Sequence, residues 1–301
     1  MHSSLSRNFR VSAVIVTALV ISFGGAAFAA GTSALALPPP PAQPPGLDHF
    51  LCYNASVSPA GPPFPVIPSQ LANQFPNPIL LQGGTVDLHC NPATKKVVSA
   101  AGVSTIYPAQ SPSWHLLCIG IQASQGGVDT HLVKVSDQFG AAKLITGAPS
   151  QFCLPSLKTL PGVAFKPPAA GEITPDHFTC YPVRPAGTLV QPFTQIPPIV
   201  KVKDQFTGTK VQVRVGPPSA LCLPTLKALL PNGPVTPITN ATAHLLCFQV
   251  TTPAISAPLV FDENQFNQQP FNPLAPGPGF TAISIGTPSL LCLPSYKRLI
   301  S

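Results

Sequence analysis

The sequence predicts an all-β protein made of four small, disulfide-stapled β modules in tandem. One pattern, His-x-x-Cys followed by Gln-Phe and then by Cys-x-Pro-x-x-Lys, occurs four times along the 301 residues. All eight cysteines belong to this pattern, two in each repeat. Alternating runs such as Val211–Val215 indicate half-buried strands, whereas 41 prolines argue against long helices.

The composition is that of a folded chain with few charges. Hydrophobic residues make up 45% and charged residues 8% of the sequence, which is enough apolar material for a core. The formal net charge is +7, and it falls to about +5 if the two arginines of residues 1–10 are removed with a leader. A nucleic-acid-binding surface would need a denser basic face with interleaved aromatic rings, so we predict no nucleic-acid partner.

Residues 1–46 are predicted to be a leader and a spacer. A basic start, an apolar centre and a small-residue exit predict a secretory signal peptide over residues 1–30, cleaved after Ala29 or Ala30. Cleavage near residues 34–36, or retention of the leader as a membrane anchor, are the alternatives. The proline-rich residues 31–46 predict a polyproline II spacer. The mature chain is therefore expected to be secreted, or to lie at the cell surface or in a periplasm, without a membrane span.

The repeats are assigned to residues 47–97, 112–160, 174–230 and 242–300. Eight cysteines allow 105 pairings, but an exported chain with two cysteines per repeat favours one bridge within each repeat. The predicted disulfides are Cys52–Cys90, Cys118–Cys153, Cys180–Cys222 and Cys247–Cys292. Each closes a loop that stabilises the fold by about 3–4 kcal/mol in the chain-entropy model. Because the opening strands are apolar on both faces, packing of the modules in pairs is one expected arrangement.

Hairpins are the expected local structure inside a repeat. In repeat 3, Val200–Lys203 and Val211–Val215 alternate around a turn at Gly208. Repeat 2 has the same layout around Gly140. In repeat 4, residues 267–279 are an insertion that we expect to form a surface loop.

Two further expectations concern the ends of the repeats. Each Cys-x-Pro is expected to end its strand, because proline cannot donate to the β-ladder. Single helical turns are expected just after it, over residues 157–160 and 226–230.

The recurring polar residues are interpreted as structural. Positions i and i+3 of a strand face opposite ways, so the histidine and cysteine of one motif cannot bind one metal ion, and no metal or cofactor is predicted. Asp137 and Asp204, with Asn73 and Asn264 at the same position, are expected to cap turns. The closing lysines are expected to be solvated or to cap carbonyl groups. The repeated histidines are His49, His115, His177 and His244, and the closing lysines are Lys95, Lys158, Lys227 and Lys297.

The motif set resembles an uncharacterised repeat module of exported bacterial proteins. The resemblance spans most of residues 48–300, and repeat 1 departs most, at Asn73 and Asn91. It implies export and repetition but assigns no functional residue. The best-matching segments are His177–Tyr181, Asp204–Phe206 and Cys222–Lys227.

The expected function is non-catalytic: a structural or binding protein of the cell surface or extracellular space with an unknown ligand. The distinctive polar residues recur fourfold, as a fold signature does, and no single repeat holds the cluster of groups that catalysis needs. A carbohydrate- or peptide-binding array is the alternative, although aromatic residues are only 7% of the chain. A secreted hydrolase assembled between repeats is the third hypothesis.

Overall fold

The computed structural model describes residues 46–59, 63–98, 102–121, 130–187, 199–253, 255, 258–267 and 279–300. The predicted leader, nearly all of the spacer and most of the predicted insertion in repeat 4 lie outside these ranges. The described residues form strands and turns and belong to one compact unit. In chain order the strands are β1 His49–Val57, β2 Ser69–Ala72, β3 Ile79–Leu81, β4 Val86–Val98, β5 Ser104–Tyr107, β6 His115–Gly120, β7 Leu132–Asp137, β8 Gly140–Thr146, β9 Gln151–Thr159, β10 His177–Pro185, β11 Ile199–Lys203, β12 Val211–Leu229, β13 Val235–Thr236, β14 His244–Thr251, β15 Leu259–Asn264 and β16 Thr281–Leu299. The all-β prediction is confirmed.

Eight of these strands close on themselves in an antiparallel ring. Each repeat contributes its opening strand and its closing strand, which pair with each other, and the last strand pairs with the first. Successive repeats are joined by pairing of the closing strand of one with the opening strand of the next. The four repeats therefore share a single closed sheet, with the order β1-β4-β6-β9-β10-β12-β14-β16 and back to β1.

Disulfides fill the inside of this closed sheet. Within each repeat the two cysteines are directly opposed in register, with Cα atoms 3.9 Å apart, and the four pairs are those that the repeat predicts. Neighbouring disulfides also touch: the Sγ atoms of Cys52 and Cys292, and of Cys153 and Cys180, lie 3.7 Å apart. The space left between the sulfur atoms is about 10 Å³. Apart from Gln151 the lining is sulfur, aliphatic and aromatic, so the interior is an apolar, sulfur-lined core with few partners for a water.

The other face of the closed sheet is covered by hairpins that are exchanged between opposite repeats. The hairpin strand β2 of repeat 1 pairs with the end of β12 in repeat 3, and β11 of repeat 3 pairs with the end of β4 in repeat 1. Repeats 2 and 4 exchange β7 and β15 in the same way. The strand β11 has alternating exposed and buried residues, because one of its faces packs on the closed sheet and the other faces water. No repeat therefore completes its own outer layer.

The hairpins form as predicted, but the prediction that proline ends the strands is wrong. Strands β4, β9, β12 and β16 run through Pro92, Pro155, Pro224 and Pro294 and continue for several residues. Each proline lies two residues beyond its cysteine, where pairing with the neighbouring repeat has already ended. The missing N–H faces that vacant side, while pairing within the repeat continues. For the same reason residues 157–159 and 226–229 are strand rather than helical turns.

Candidate functional site

The recurring polar residues meet between successive repeats. The histidine and lysine of one repeat contact the Asx-Gln-Phe segment of the next, and repeat 4 contacts repeat 1 in the same way. We call each such contact a junction and number it by its two repeats, from junction 1/2 to junction 4/1. The predicted signature residues are therefore brought together across repeats, not within them.

Junctions 1/2 and 3/4 have the same side-chain contacts. At junction 1/2, Gln138 Oε1 accepts from the Lys95 ammonium and lies 3.1 Å from His49 Nε2. At junction 3/4, Gln265 Oε1 likewise accepts from Lys227 and lies 3.2 Å from His177 Nε2. Each ammonium also lies over the phenylalanine ring that follows the glutamine, 4.7 and 4.8 Å from its centroid. One amide oxygen thus serves two buried polar groups.

Junction 4/1 is a looser version of this arrangement. Gln74 Oε1 lies 3.1 Å from His244 Nε2, and Lys297 lies 4.7 Å from the centroid of the Phe75 ring. The amide of Gln74 also donates to the carbonyl oxygen of Ala241, at 2.6 Å.

The Asx residues form turns at all four junctions. The side-chain oxygens of Asn73, Asp137, Asp204 and Asn264 accept from the backbone N–H two residues on, at 2.9, 2.6, 2.9 and 2.8 Å. These turns place each phenylalanine under the lysine of the preceding repeat. This is the capping geometry that the sequence predicts for aspartate and asparagine alike.

The closing lysines are predicted to be solvated or to cap carbonyl groups, and the first of these alternatives is wrong for two of them. Lys95 and Lys227 are 0% exposed, and Lys158 and Lys297 are partly buried. The physical reason is that the glutamine and phenylalanine of the next repeat provide an acceptor and an aromatic face, which offset the loss of water around the ammonium.

Junction 2/3 departs from the pattern. The amide of Gln205 donates to the Pro112 carbonyl, as Gln74 does to Ala241, but its oxygen makes no hydrogen bond to His115 or Lys158. Instead Lys158 Nζ lies 2.9 Å from His115 Nε2 and donates to Asn91 Oδ1 at 2.6 Å. The ammonium keeps its place over the ring of Phe206, 4.5 Å from the centroid.

Behind Lys158 of repeat 2 lies a buried polar cluster drawn from the other three repeats. Asp204 Oδ2 accepts from Asn91 Nδ2 at 3.0 Å and from Tyr53 Oη at 2.8 Å. His89 and Asp262 are both 0% exposed, and His89 Nε2 lies 3.5 Å from Asp262 Oδ2. Within the described ranges neither ring nitrogen of His89 has a hydrogen-bond partner. Buried groups that are left partly unsatisfied are costly, so they mark a place where folding stability is not the only constraint.

A pocket of about 230 Å³ opens in front of this cluster. Its polar wall includes His115, Lys158 and Gln205, and its apolar wall includes Leu160 and Val163. Lys166 is the second lysine on the wall, and none of the lining residues is acidic. The pocket therefore joins a partly exposed amine to an apolar surface on which a small molecule could lie.

Burial dominates the electrostatics at the junctions. It lowers the pKa of His49, His115 and His177 well below the ordinary value, so these rings are neutral at pH 7. Burial also lowers the pKa of Lys158 to about 7, although the negative charges of Asp204 and Asp262 oppose this shift. At neutral pH a large fraction of the Lys158 side chain is therefore an uncharged amine.

The shared positions of the repeat do not point to His89 or Asp262, and Asn91 stands out only as a departure from the motif. Their signal lies in the repeat itself, because the other three repeats have apolar residues at each of these positions. The residue before the closing cysteine is His89 in repeat 1 and Phe152, Leu221 and Leu291 in the others. The residue after that cysteine is Asn91 in repeat 1 and Leu154, Leu223 and Leu293 in the others. The residue two positions before the Asx is Asp262 in repeat 4 and Leu71, Val135 and Val202 in the others. The sequence signal of the cluster is therefore a polar residue at a position that is apolar in the other three repeats.

The described residues give no support for a metal site or for a membrane-spanning helix. They contain no group of three or more His, Cys, Asp or Glu side chains arranged to hold a metal ion. Nor do they form any helix of the length and apolarity that crossing a membrane requires. The four disulfides are typical of a protein that works outside the cell or in another oxidising compartment.

Comparison with known proteins adds no relative: no family model matches the chain, and no curated protein or solved structure matches it.

Proposed function

We propose that the chain is an exported, non-catalytic binding protein whose ligand site is the pocket at junction 2/3. The observation that carries this proposal is the departure of junction 2/3 from the repeat. At the other three junctions the glutamine oxygen lies 3.1–3.2 Å from the histidine of the preceding repeat, whereas at junction 2/3 this contact is missing and His115 and Lys158 line a pocket of about 230 Å³. A purely structural role gives no reason to replace apolar residues by His89 and Asp262 at 0% exposure.

Export is part of the same proposal. The basic start, apolar centre and small-residue exit of residues 1–30 support a cleaved leader. The disulfides support an oxidising destination, and the closed sheet supplies a rigid frame that holds the pocket residues of different repeats in place.

The alternative of a carbohydrate- or peptide-binding array with four equal sites has less support than a single binding site. Lys95 and Lys227 are 0% exposed, so junctions 1/2 and 3/4 offer a ligand no equivalent contact. Trp114 is only 4% exposed and cannot act as a stacking platform for a sugar. Binding by effective concentration over four weak sites therefore has little support.

A ligand screen with a blocked pocket tests the proposal. Ala164 is an exposed residue of the pocket wall, so Ala164→Trp should fill the pocket with little effect on the core. Ala170→Trp, at an exposed position of the same loop outside the pocket lining, is the matched control. In saturation-transfer NMR with a library of small polar molecules, hits should bind wild type and Ala170→Trp but not Ala164→Trp.

Two outcomes would count against the proposal. Hits that bind Ala164→Trp as well as wild type would place binding elsewhere, and the absence of any hit would remove the support for this pocket.

The hydrolase hypothesis has one observation in its favour, the buried pair of His89 and Asp262 at 3.5 Å. Turnover of ester, glycoside or peptide substrates, lost in His89→Phe, would favour that hypothesis instead.

A further inference from the structure

The four closing lysines provide an internal comparison that singles out one amine. Lys95 and Lys227 are 0% exposed and donate to a glutamine oxygen, so no dissolved molecule can reach them without local unfolding. Lys158 has the same aromatic neighbour but lines a pocket and is partly exposed. Lys158 is thus a partly buried lysine that a dissolved molecule can reach through the pocket.

The surroundings of Lys158 suit a nucleophilic amine. Its ammonium lies over Phe206, and burial lowers its pKa to about 7, so a neutral lone pair is available near neutral pH. His115 Nε2, 2.9 Å away, is a neutral imidazole that can take or return a proton.

The titratable groups around this amine come from four elements. His115 lies on β6, His89 on β4 and Asp262 on β15, while Asp204 follows β11. Lys166 is the remaining charge of the pocket wall. The two carboxylates favour the ammonium form and burial favours the neutral amine, which is the form that attacks a carbonyl carbon; burial is the larger effect.

We propose that Lys158 captures small carbonyl compounds, aldehydes or unhindered ketones, as a reversible imine in the pocket at junction 2/3. The Nζ lone pair attacks the carbonyl carbon, and the carbonyl oxygen takes up the two amine protons and leaves as water while the C=N bond forms. His115 relays these protons, and Leu160 and Val163 contact the carbon chain of the ligand. This inference rests on the proposed function and names the class of its ligand.

Reductive trapping tests the inference on the full oxidised chain. Propanal with cyanoborohydride at pH 7 converts any imine into a stable alkyl-lysine, which peptide mapping assigns to a residue. The expected result is labelling of Lys158 faster than of Lys166 and Lys297, and about fivefold faster than of Lys297, because burial lowers the pKa of Lys158 to about 7 and that of Lys297 only to about 8. Ala164→Trp should abolish the label at Lys158, and Ala170→Trp, outside the pocket lining, should leave it unchanged.

The inference is overturned if Lys158 is labelled no faster than Lys166 and Lys297 in wild type, a comparison that needs no variant to fold. It is also overturned if Ala164→Trp leaves the rate at Lys158 unchanged. The screen described above separates the two proposals: hits blocked by Ala164→Trp, together with an unlabelled Lys158, leave the binding site standing and remove only the carbonyl class.

Discussion

Replacing the buried Lys227 by methionine should change how stability depends on pH. Lys227 is 0% exposed, donates to Gln265 and lies 4.8 Å from the centroid of the Phe266 ring. Burial lowers its pKa to about 7, and among the described residues no acidic group opposes this shift. Methionine has a similar length and carries no charge, so Lys227→Met removes the titration while filling the same space.

The sign of the effect follows from the two protonation equilibria. In the unfolded chain a lysine has a pKa of about 10.4. Between pH 7 and about 10 the unfolded chain therefore binds a proton that the folded chain lacks, and the free energy of unfolding rises with pH. For one such group the slope is at most about 1.4 kcal/mol per pH unit. Lys227→Met should lose this contribution, so its stability relative to wild type is greatest at pH 7 and declines toward pH 10.

Urea unfolding at pH 7, 8 and 9, with the disulfides intact, measures this difference. Lys210→Met, at an exposed position of the repeat 3 hairpin, is the control and should run parallel to wild type. If Lys227→Met also runs parallel to wild type over this range, Lys227 is charged in the folded protein and the reasoning about its burial is wrong.

Three other changes test the energetics of the fold, each by the free energy of unfolding in urea. Removing one disulfide with Cys180→Ala and Cys222→Ala opens a loop of 42 residues and should cost about 4 kcal/mol in the chain-entropy model; an unchanged stability would contradict it. Gly208→Ala should cost about 1 kcal/mol, because Gly208 has a φ of +62° and a new Cβ meets no atom within 4 Å, whereas Gly83→Ala, equally open and without a positive φ, should be near neutral. Replacing Asn91 by leucine, the residue that the other repeats have at this position, should destabilise the fold by about 1–3 kcal/mol, because it removes one hydrogen-bond partner from Asp204 and one from Lys158; a gain in stability would mean that the polar cluster is dispensable.

Local patterns in the sequence predict the local structure well. The alternation in Val211–Val215 identifies a strand, Gly208 marks the turn before it, and the Asx residues cap turns, because each of these features depends on neighbouring residues only. The disulfide pairs coincide with the repeat spacing for a similar reason, since the two cysteines of a repeat lie on strands that are consecutive partners in the ring.

The arrangement of the repeats could not be predicted in this way. Exchange of hairpins between opposite repeats depends on contacts such as β2 with β12, whose residues are about 155 positions apart. The burial of Lys95 was missed because its glutamine partner belongs to the next repeat. The polar cluster joins His89 to Asp262, which no spacing rule connects. Only the fold brings these groups together.

Closure of the ring is the central structural claim, because closure turns four small repeats into one body and holds repeats 2 and 3, which line the pocket, next to each other. Hydrogen exchange followed by mass spectrometry tests closure directly, through the backbone amides of β1 and β16 at opposite ends of the described chain. In the closed sheet β1 has a paired strand on each side, so its amides should exchange as slowly as those of β9 and β10, and much more slowly than those of the edge strand β3. Amides of β1 that exchange as fast as those of β3 would show an open edge between repeats 4 and 1, and would contradict the single closed sheet.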